Sequence, residues 1–153
     1  MAVIRAAQTG DVPRLLPLME DFNRLEGIPW RPRAMTAALR RLLAEPDLGF
    51  VLVGAEGERL VAYAVVTFNY DLEHAGRDAF LTELYVSPAA RGHGLGRSLL
   101  AACERTGRVR DVLTLHLMVL PENTRALALY QGAGYVRSPR VVLSKPLAPS
   151  AAG

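Results

Sequence analysis

The sequence predicts a mixed α/β domain in which a mostly antiparallel central sheet is flanked by helices. Three observations predict it. From Leu81 to Val119 the chain reads strand, glycine-dense turn, helix, strand, and two strands joined through a helix run parallel with a right-handed crossover. Ahead of that unit, Phe50 to Val53 and Leu60 to Phe68 are apolar runs separated by Gly54-Ala55-Glu56-Gly57-Glu58-Arg59, a hairpin signal. Nearer the N-terminus, two stretches carry apolar residues at helical spacing.

In chain order, Ala2 to Ala7 reads as a first strand. Asp11 suits the cap of a helix whose apolar face is Val12, Leu15, Leu16, Met19 and Phe22. Gly27 to Pro32 is a break. Pro32 then suits the first turn of a second helix, with Met35, Ala38, Leu39, Leu42 and Leu43 on its buried side, and Pro46 ends it. After the hairpin, Asn69 to Asp78 reads as a polar loop. The strand Leu81 to Val86 follows, with a Ser87-Pro88 turn behind it. Next come the loop Arg91-Gly92-His93-Gly94-Leu95-Gly96 and a helix with Leu95, Leu99, Ala102 and Cys103 on one stripe and Gly107 as its stop. Val112 to Val119 reads as a strand. Asn123 caps a further helix that Gly134 ends in a left-handed conformation, and Tyr135 to Arg137 and Val141 to Lys145 read as two last strands. Residues 1–146 form one domain, and the Ala-, Pro- and Ser-rich tail 147–153 reads as disordered.

The glycine loop aims free backbone N–H groups and the positive end of a helix dipole at one point, which suits an anion such as phosphate. Its spacing, G-x-G-x-G, is neither the dinucleotide fingerprint G-x-G-x-x-G nor a Walker loop, which needs a longer gap and then Lys-Ser/Thr. With Arg91, Gly94 and Gly96 at R-x-x-G-x-G positions, and a strand ending L-Y-V-x-P just before, it resembles the loop of the GCN5-related N-acetyltransferases. The segment Asn123 to Tyr135 is similar to the same family's N-x-x-A-x-x-L-Y-x-x-x-G-F/Y motif, with Tyr135 at the aromatic position. The resemblance covers the whole chain in outline and is most specific from Leu81 to Tyr135.

That resemblance implies the acyl-CoA N-acyltransferase fold, in which the two parallel strands splay apart, and it implies acetyl-CoA as cosubstrate. The loop residues Arg91, Gly92, His93, Gly94, Leu95, Gly96, Arg97 and Ser98 would then hold the pyrophosphate. Leu84, Tyr85 and Val86 would pair the pantetheine arm, with Asn123, Ala126 and Tyr130 beside it. The implied activity is direct transfer of an acetyl group to a primary amine. An alkyl amine is charged at pH 7, having a pKa of about 10.4, and needs a base. Glu83 is the candidate: strand alternation puts it with Leu81 and Tyr85 on a covered face, where its carboxyl should be desolvated. Tyr130, at the family's tyrosine position, is the candidate general acid for the departing thiolate. A small cationic acceptor would suit Asp71 and Glu73 in the polar loop, joined by Glu26 and Trp30 from the break between the first two helices. A protein N-terminal or lysine acetyltransferase, and a non-catalytic acyl-CoA-binding regulatory module, stay open as alternatives.

Composition excludes other classes. At 153 residues, half of them hydrophobic and 22% charged, the chain is sized for one core. No apolar run approaches the ~18 residues of a membrane span, and the N-terminal stretch lacks a signal-peptide core, so a cytoplasmic protein without a membrane partner is expected. Cys103 is the only cysteine, and its place on an apolar stripe reads as a buried small hydrophobe. The net charge is +3 and the arginines are scattered, which argues against nucleic acid. His74, His93 and His116 form no i,i+4 pair and meet no cysteine cluster, so no metal is expected. Whether the chain forms a homodimer is left open.

Overall fold

The computed structural model describes residues 1–149. Its strands are β1 (Val3–Ala6), β2 (Gly49–Glu56), β3 (Arg59–Asp71), β4 (Gly76–Val86) and β5 (Thr114–Leu117), and they form one sheet in the order β1-β2-β3-β4-β5. All pairings are antiparallel except β4 with β5, which is parallel. The expected mixed sheet and its crossover are therefore both present: the helix between β4 and β5 carries the chain back along the sheet, and β5 re-enters it in the direction of β4.

The helices α1 (Val12–Glu26) and α2 (Pro32–Ala44) cover one face of the sheet. There Leu15, Met19 and Leu39 meet Val53, Tyr63 and Tyr85. On the opposite face α3 (Leu95–Val109) lays Leu99, Leu100 and Cys103 against Ala62, Ala64, Val66 and Ala79. The row of alanines lets that helix approach the sheet closely, and fully burying a leucine contributes about 1.5–3 kcal/mol. The last helix, α4 (Thr124–Gly132), is fixed at both ends as expected. Asn123 Oδ1 accepts from Ala126 N–H at 3.1 Å. At the other end Gly134, with φ +97°, carries the paired bonds Gly134 N to Gln131 O and Tyr135 N to Tyr130 O that close a helix in left-handed geometry.

Several expected boundaries are corrected. The stretch Asn69 to Asp78 is mostly strand: β3 and β4 run on to a tight turn over residues 72–75. Its polar residues do not need an apolar face there, because Asn69 Nδ2 donates to Asp78 Oδ1 across the ladder at 3.0 Å. Asp11 precedes α1, yet its carboxylate turns back to Gln8 N–H, Arg5 and Arg14 instead of capping the helix. These partners, Arg5 first, draw its pKa down to about 2. Gly107 lies inside α3, which runs on to Val109, so it is not the helix stop; a Cβ there would meet Val112 at 3.5 Å, an ordinary contact. The strand expected over Val112–Val119 shortens to β5. Tyr135 to Arg137 and Val141 to Lys145 are not strands among the described residues, and Val136, Val141 and Leu143 are exposed. Branched side chains supply propensity, but a strand also needs a ladder partner, and here the outer edge of β5 is not taken up by these segments. Of the expected disordered tail, residues 147–149 have no regular structure and the remainder lies outside the described residues. Among the described residues no helix is long and apolar enough to cross a membrane.

Candidate functional site

The site begins where the β4–β5 ladder ends. The two strands pair from Asp78↔Thr114 to Leu81↔Leu117 and no further, so from Thr82 to Val86 strand β4 has β3 on one side only. Ser87 N–H bonds Val61 O at 2.8 Å. Because successive residues of a strand turn their backbone groups to opposite edges, the groups of Glu83 and Tyr85 face β3, and those of Leu84 and Val86 face the opening. Of the expected trio, Tyr85 has its main chain paired with β3. The Val86 carbonyl is also engaged, by Arg91 Nε at 2.8 Å, while the guanidinium of Arg91 lies 5.8 Å from the Tyr85 ring centroid.

Beyond this opened edge the glycine loop turns into α3. Gly92 and Gly94 have φ of +84° and +79°, a region that favours glycine. Gly96 does not, and a Cβ there would sit 3.8 Å from both Val86 and Leu129. Ser98 N–H bonds back to Gly94 O at 3.0 Å, so the amides of Leu95, Gly96 and Arg97 form the free first turn of the helix. His93 is exposed in this loop.

A register shift in β4 sets the face of the key carboxyl. Val65 pairs with Glu83 and Val66 with Leu81, which leaves Thr82 as an extra residue. Simple alternation, which grouped Glu83 with Leu81, is overturned by this bulge: Leu81 joins the α3-side core, whereas Glu83 and Tyr85 face α1. Tyr63, fully buried on β3, donates its phenolic proton to Glu83 Oε1 at 2.7 Å. Burial pushes the Glu83 carboxyl up, and the Tyr63 hydrogen bond opposes that in part. Tyr63 itself is driven far above the ordinary phenol range by burial and then by the Glu83 charge, so it acts only as a donor. Its ring packs edge-on to Phe22 at 6.3 Å and beside Tyr85 at 6.0 Å.

Glu83 lines a cavity of about 340 Å³ whose other walls include Glu26, Asn23, Leu84, Asn123, Ala126 and Tyr130. Of the residues singled out from the sequence, Glu83, Tyr130, Asn123, Ala126, Leu84 and Glu26 are therefore brought together. Burial pushes the Tyr130 phenol up to about 12, and the nearby Glu26 charge adds to the rise. Tyr135 stacks edge-on against it at 6.0 Å and donates to Glu104 at 3.1 Å. Trp30 packs instead against the α1-side core. Asp71 and Glu73 stand apart from this cavity's walls: Asp71 Oδ1 accepts from Glu73 N–H at 2.9 Å, and Glu73 pairs with Arg140. Cys103 is buried, with its thiol pushed up to about 12, as a small hydrophobe should be.

Sequence reasoning missed two groups. Tyr63 carries no motif, and its meeting with Glu83 depends on the β3–β4 register and its bulge. The histidines looked scattered, yet His116 Nε2 lies 3.0 Å from Asp78 Oδ2, and the rings of His74 and His116 are 4.9 Å apart. Ligand-type atoms of His74, Asp78 and His116 fall within 4.8 Å of one another.

Comparison with known proteins agrees with this fold. The family model described as "Acetyltransferase (GNAT) family" matches residues 15–135. The thialysine N-epsilon-acetyltransferase of Bos taurus is 28% identical over 147 residues, covering 86% of this chain and 82% of that protein. An aminoglycoside N(6')-acetyltransferase type 1 of Stenotrophomonas maltophilia is 33% identical over 106 residues, covering 67% of this chain and 69% of that protein. Among solved structures, an integron cassette protein from the mobile metagenome of Cole Harbour Salt Marsh superposes with a TM-score of 0.85 at 33% identity, covering 96% of this chain and 91% of that one.

Proposed function

This chain belongs to the acetyltransferase (GNAT) family and is an acetyl-CoA-dependent N-acetyltransferase; from that premise we propose that its acceptor is a small cationic amine, presented to Glu83 in the cavity at the end of the β4–β5 ladder. One observation carries the reading: two carboxyl groups, Glu26 and Glu83, line the same cavity. Acetyl-CoA supplies an activated acetyl group, so that a C–N bond forms, a C–S bond breaks and the amine's proton is released as the thiol gains one. The rest falls to the residues of this chain.

The residues present fit that cosubstrate. The free first-turn amides of α3, the left-handed Gly92 and Gly94, and Arg91 and Arg97 beside them suit a pyrophosphate. The opened edge at Leu84 and at the Val86 N–H suits an arm that carries amides, since buried donors left without partners cost about 1–3 kcal/mol each. Leu84 of that opened edge also lines the cavity that holds Glu83.

Glu83 is the proton acceptor in this reading. A carboxyl raised by burial is a better base than an exposed one, and the Tyr63 hydrogen bond fixes its orientation. Tyr130 stays protonated across the working pH range, so it serves as a hydrogen-bond donor to the departing sulfur. Glu26 draws the cationic acceptor in. The names of two relatives, a thialysine and an aminoglycoside N-acetyltransferase, agree with a small amine as acceptor.

Steady-state kinetics on Glu26→Gln test the assignment. The variant is expected to raise the KM of a polycationic amine and to flatten its salt dependence while leaving the KM of acetyl-CoA in place. Asp71→Asn with Glu73→Gln is expected to change neither. The opposite pattern would move acceptor binding to the β3–β4 turn.

A further inference from the structure

The apolar stripe of α1 is interrupted once. Leu15 and Met19 lie on it at 0% and 6% exposure, and the next position at the same spacing is Asn23, at 3%. A leucine there would continue the stripe. Instead Asn23 places a carboxamide among Phe22 and the walls of the Glu83 cavity, and its Nδ2 has no hydrogen-bond partner among the described residues. Its main-chain carbonyl is already used, by Ile28 N–H at 2.8 Å. Buried polar groups are nearly always paired, because leaving a donor unpaired destabilises the fold. Because Asn23 also lines the cavity, what the cavity holds is the partner this donor lacks in the fold itself.

Resting on the reading above, that this cavity receives the acceptor, we propose that Asn23 Nδ2 donates a hydrogen bond to an oxygen of the acceptor. The acceptor is then an amine that also carries a hydroxyl, carbonyl or carboxylate oxygen near the reacting nitrogen, as in an amino sugar or an amino acid derivative. A plain polyamine leaves Nδ2 unpaired. When protonated it offers only N–H donors and positive charge, which Glu26, Glu83 and the Asn23 Oδ1 can accept but Nδ2, itself a donor, cannot. The cavity thus divides its work: the two carboxyl groups hold the ammonium end, and Asn23 reads the oxygen. A site built to hydrogen-bond a substrate group rejects analogues that lack it, because its own buried polar atom is then left unpaired.

The test uses the full chain and two variants. Asn23→Leu continues the apolar stripe and removes the donor; Asn23→Asp keeps the shape and replaces the donor with an oxygen. Two readouts are combined: the thermal unfolding midpoint without ligand, and thiol release from acetyl-CoA with tobramycin, lysine and spermidine as acceptors. The expected results are that the wild type prefers an oxygen-bearing acceptor and that Asn23→Leu unfolds no earlier than the wild type. Both variants should raise the KM of that acceptor by about tenfold or more, and that of spermidine far less. A lowered midpoint with unchanged KM values would assign Asn23 to structure and overturn the proposal. So would an equal loss with all three acceptors, which would point to the acetyl group as the partner of Nδ2. A wild type that prefers spermidine overturns this inference and leaves the proposed function standing. A wild type that uses none of the three overturns both.

Discussion

The phenol of Tyr63 on β3 and the carboxylate of Glu83 on β4 are joined by a 2.7 Å hydrogen bond at the bulge in their ladder. This contact fixes the direction of the group assigned as base and tempers its acidity. Burial raises the Glu83 pKa, and the hydrogen bond restrains the rise. The ionised form is the base, so the rate should fall as pH drops through that pKa. Removing the restraint in Tyr63→Phe should move the fall to higher pH. Glu83→Gln should lower kcat/KM by about 10²–10⁴-fold, chiefly below the pKa of the amine. pH–rate profiles of the three proteins check both effects, and superimposable profiles would remove Glu83 from proton transfer.

Tyr130 presents a different pH signature. An ordinary phenol ionises near pH 10, but burial and the Glu26 charge hold this one at about 12. A loss of activity on the alkaline side before that pH should therefore persist in Tyr130→Phe. The same variant is expected to lower kcat while sparing acetyl-CoA affinity, because a donor to the leaving sulfur acts in the transition state. Single-turnover rates with calorimetric affinities separate the two parameters, and an affinity loss with unchanged kcat would reassign the phenol to binding.

The two loop glycines should respond differently. Gly94 sits at φ +79° with nothing near its missing Cβ, whereas Gly96 has ordinary φ and ordinary van der Waals distances. Gly94→Val is therefore expected to strain the turn by roughly 1–2 kcal/mol and to weaken acetyl-CoA binding. In Gly96→Ala the fold should hold, because the added methyl group would meet Val86 and Leu129 at 3.8 Å, and acetyl-CoA affinity should change far less than in Gly94→Val. Calorimetry on folded variants reads this directly, and wild-type affinity in Gly94→Val would take the phosphate away from this loop.

The legible parts of the fold were those encoded locally. The glycine loop, the Asn123 cap, the left-handed Gly134 and the apolar stripes of α1 and α3 each depend on residues within a few positions of one another, and each stands where the sequence placed it, whereas in α2 Ala38 of the expected buried side is exposed. The less legible parts depend on register. The bulge at Thr82 turned Leu81 and Glu83 to opposite faces, and it brought Tyr63 under Glu83 from twenty residues away. The meeting of His74, Asp78 and His116 is likewise a product of strand pairing, since no local spacing relates them. The polar stretch after Phe68 looked like a loop because its residues pair with one another across a hairpin and not with a core. Propensity alone suggested strands after Tyr135 that the sheet does not use.

Thiol release from acetyl-CoA, catalysed by the full chain against small amines matched in size and differing in net charge, tests the central assignment most directly. The assignment predicts release that requires both the chain and an amine, with kcat/KM highest for cationic acceptors and falling as salt is raised. Neutral or acidic amines that react as well as cationic ones, with the same dependence on salt, would contradict it.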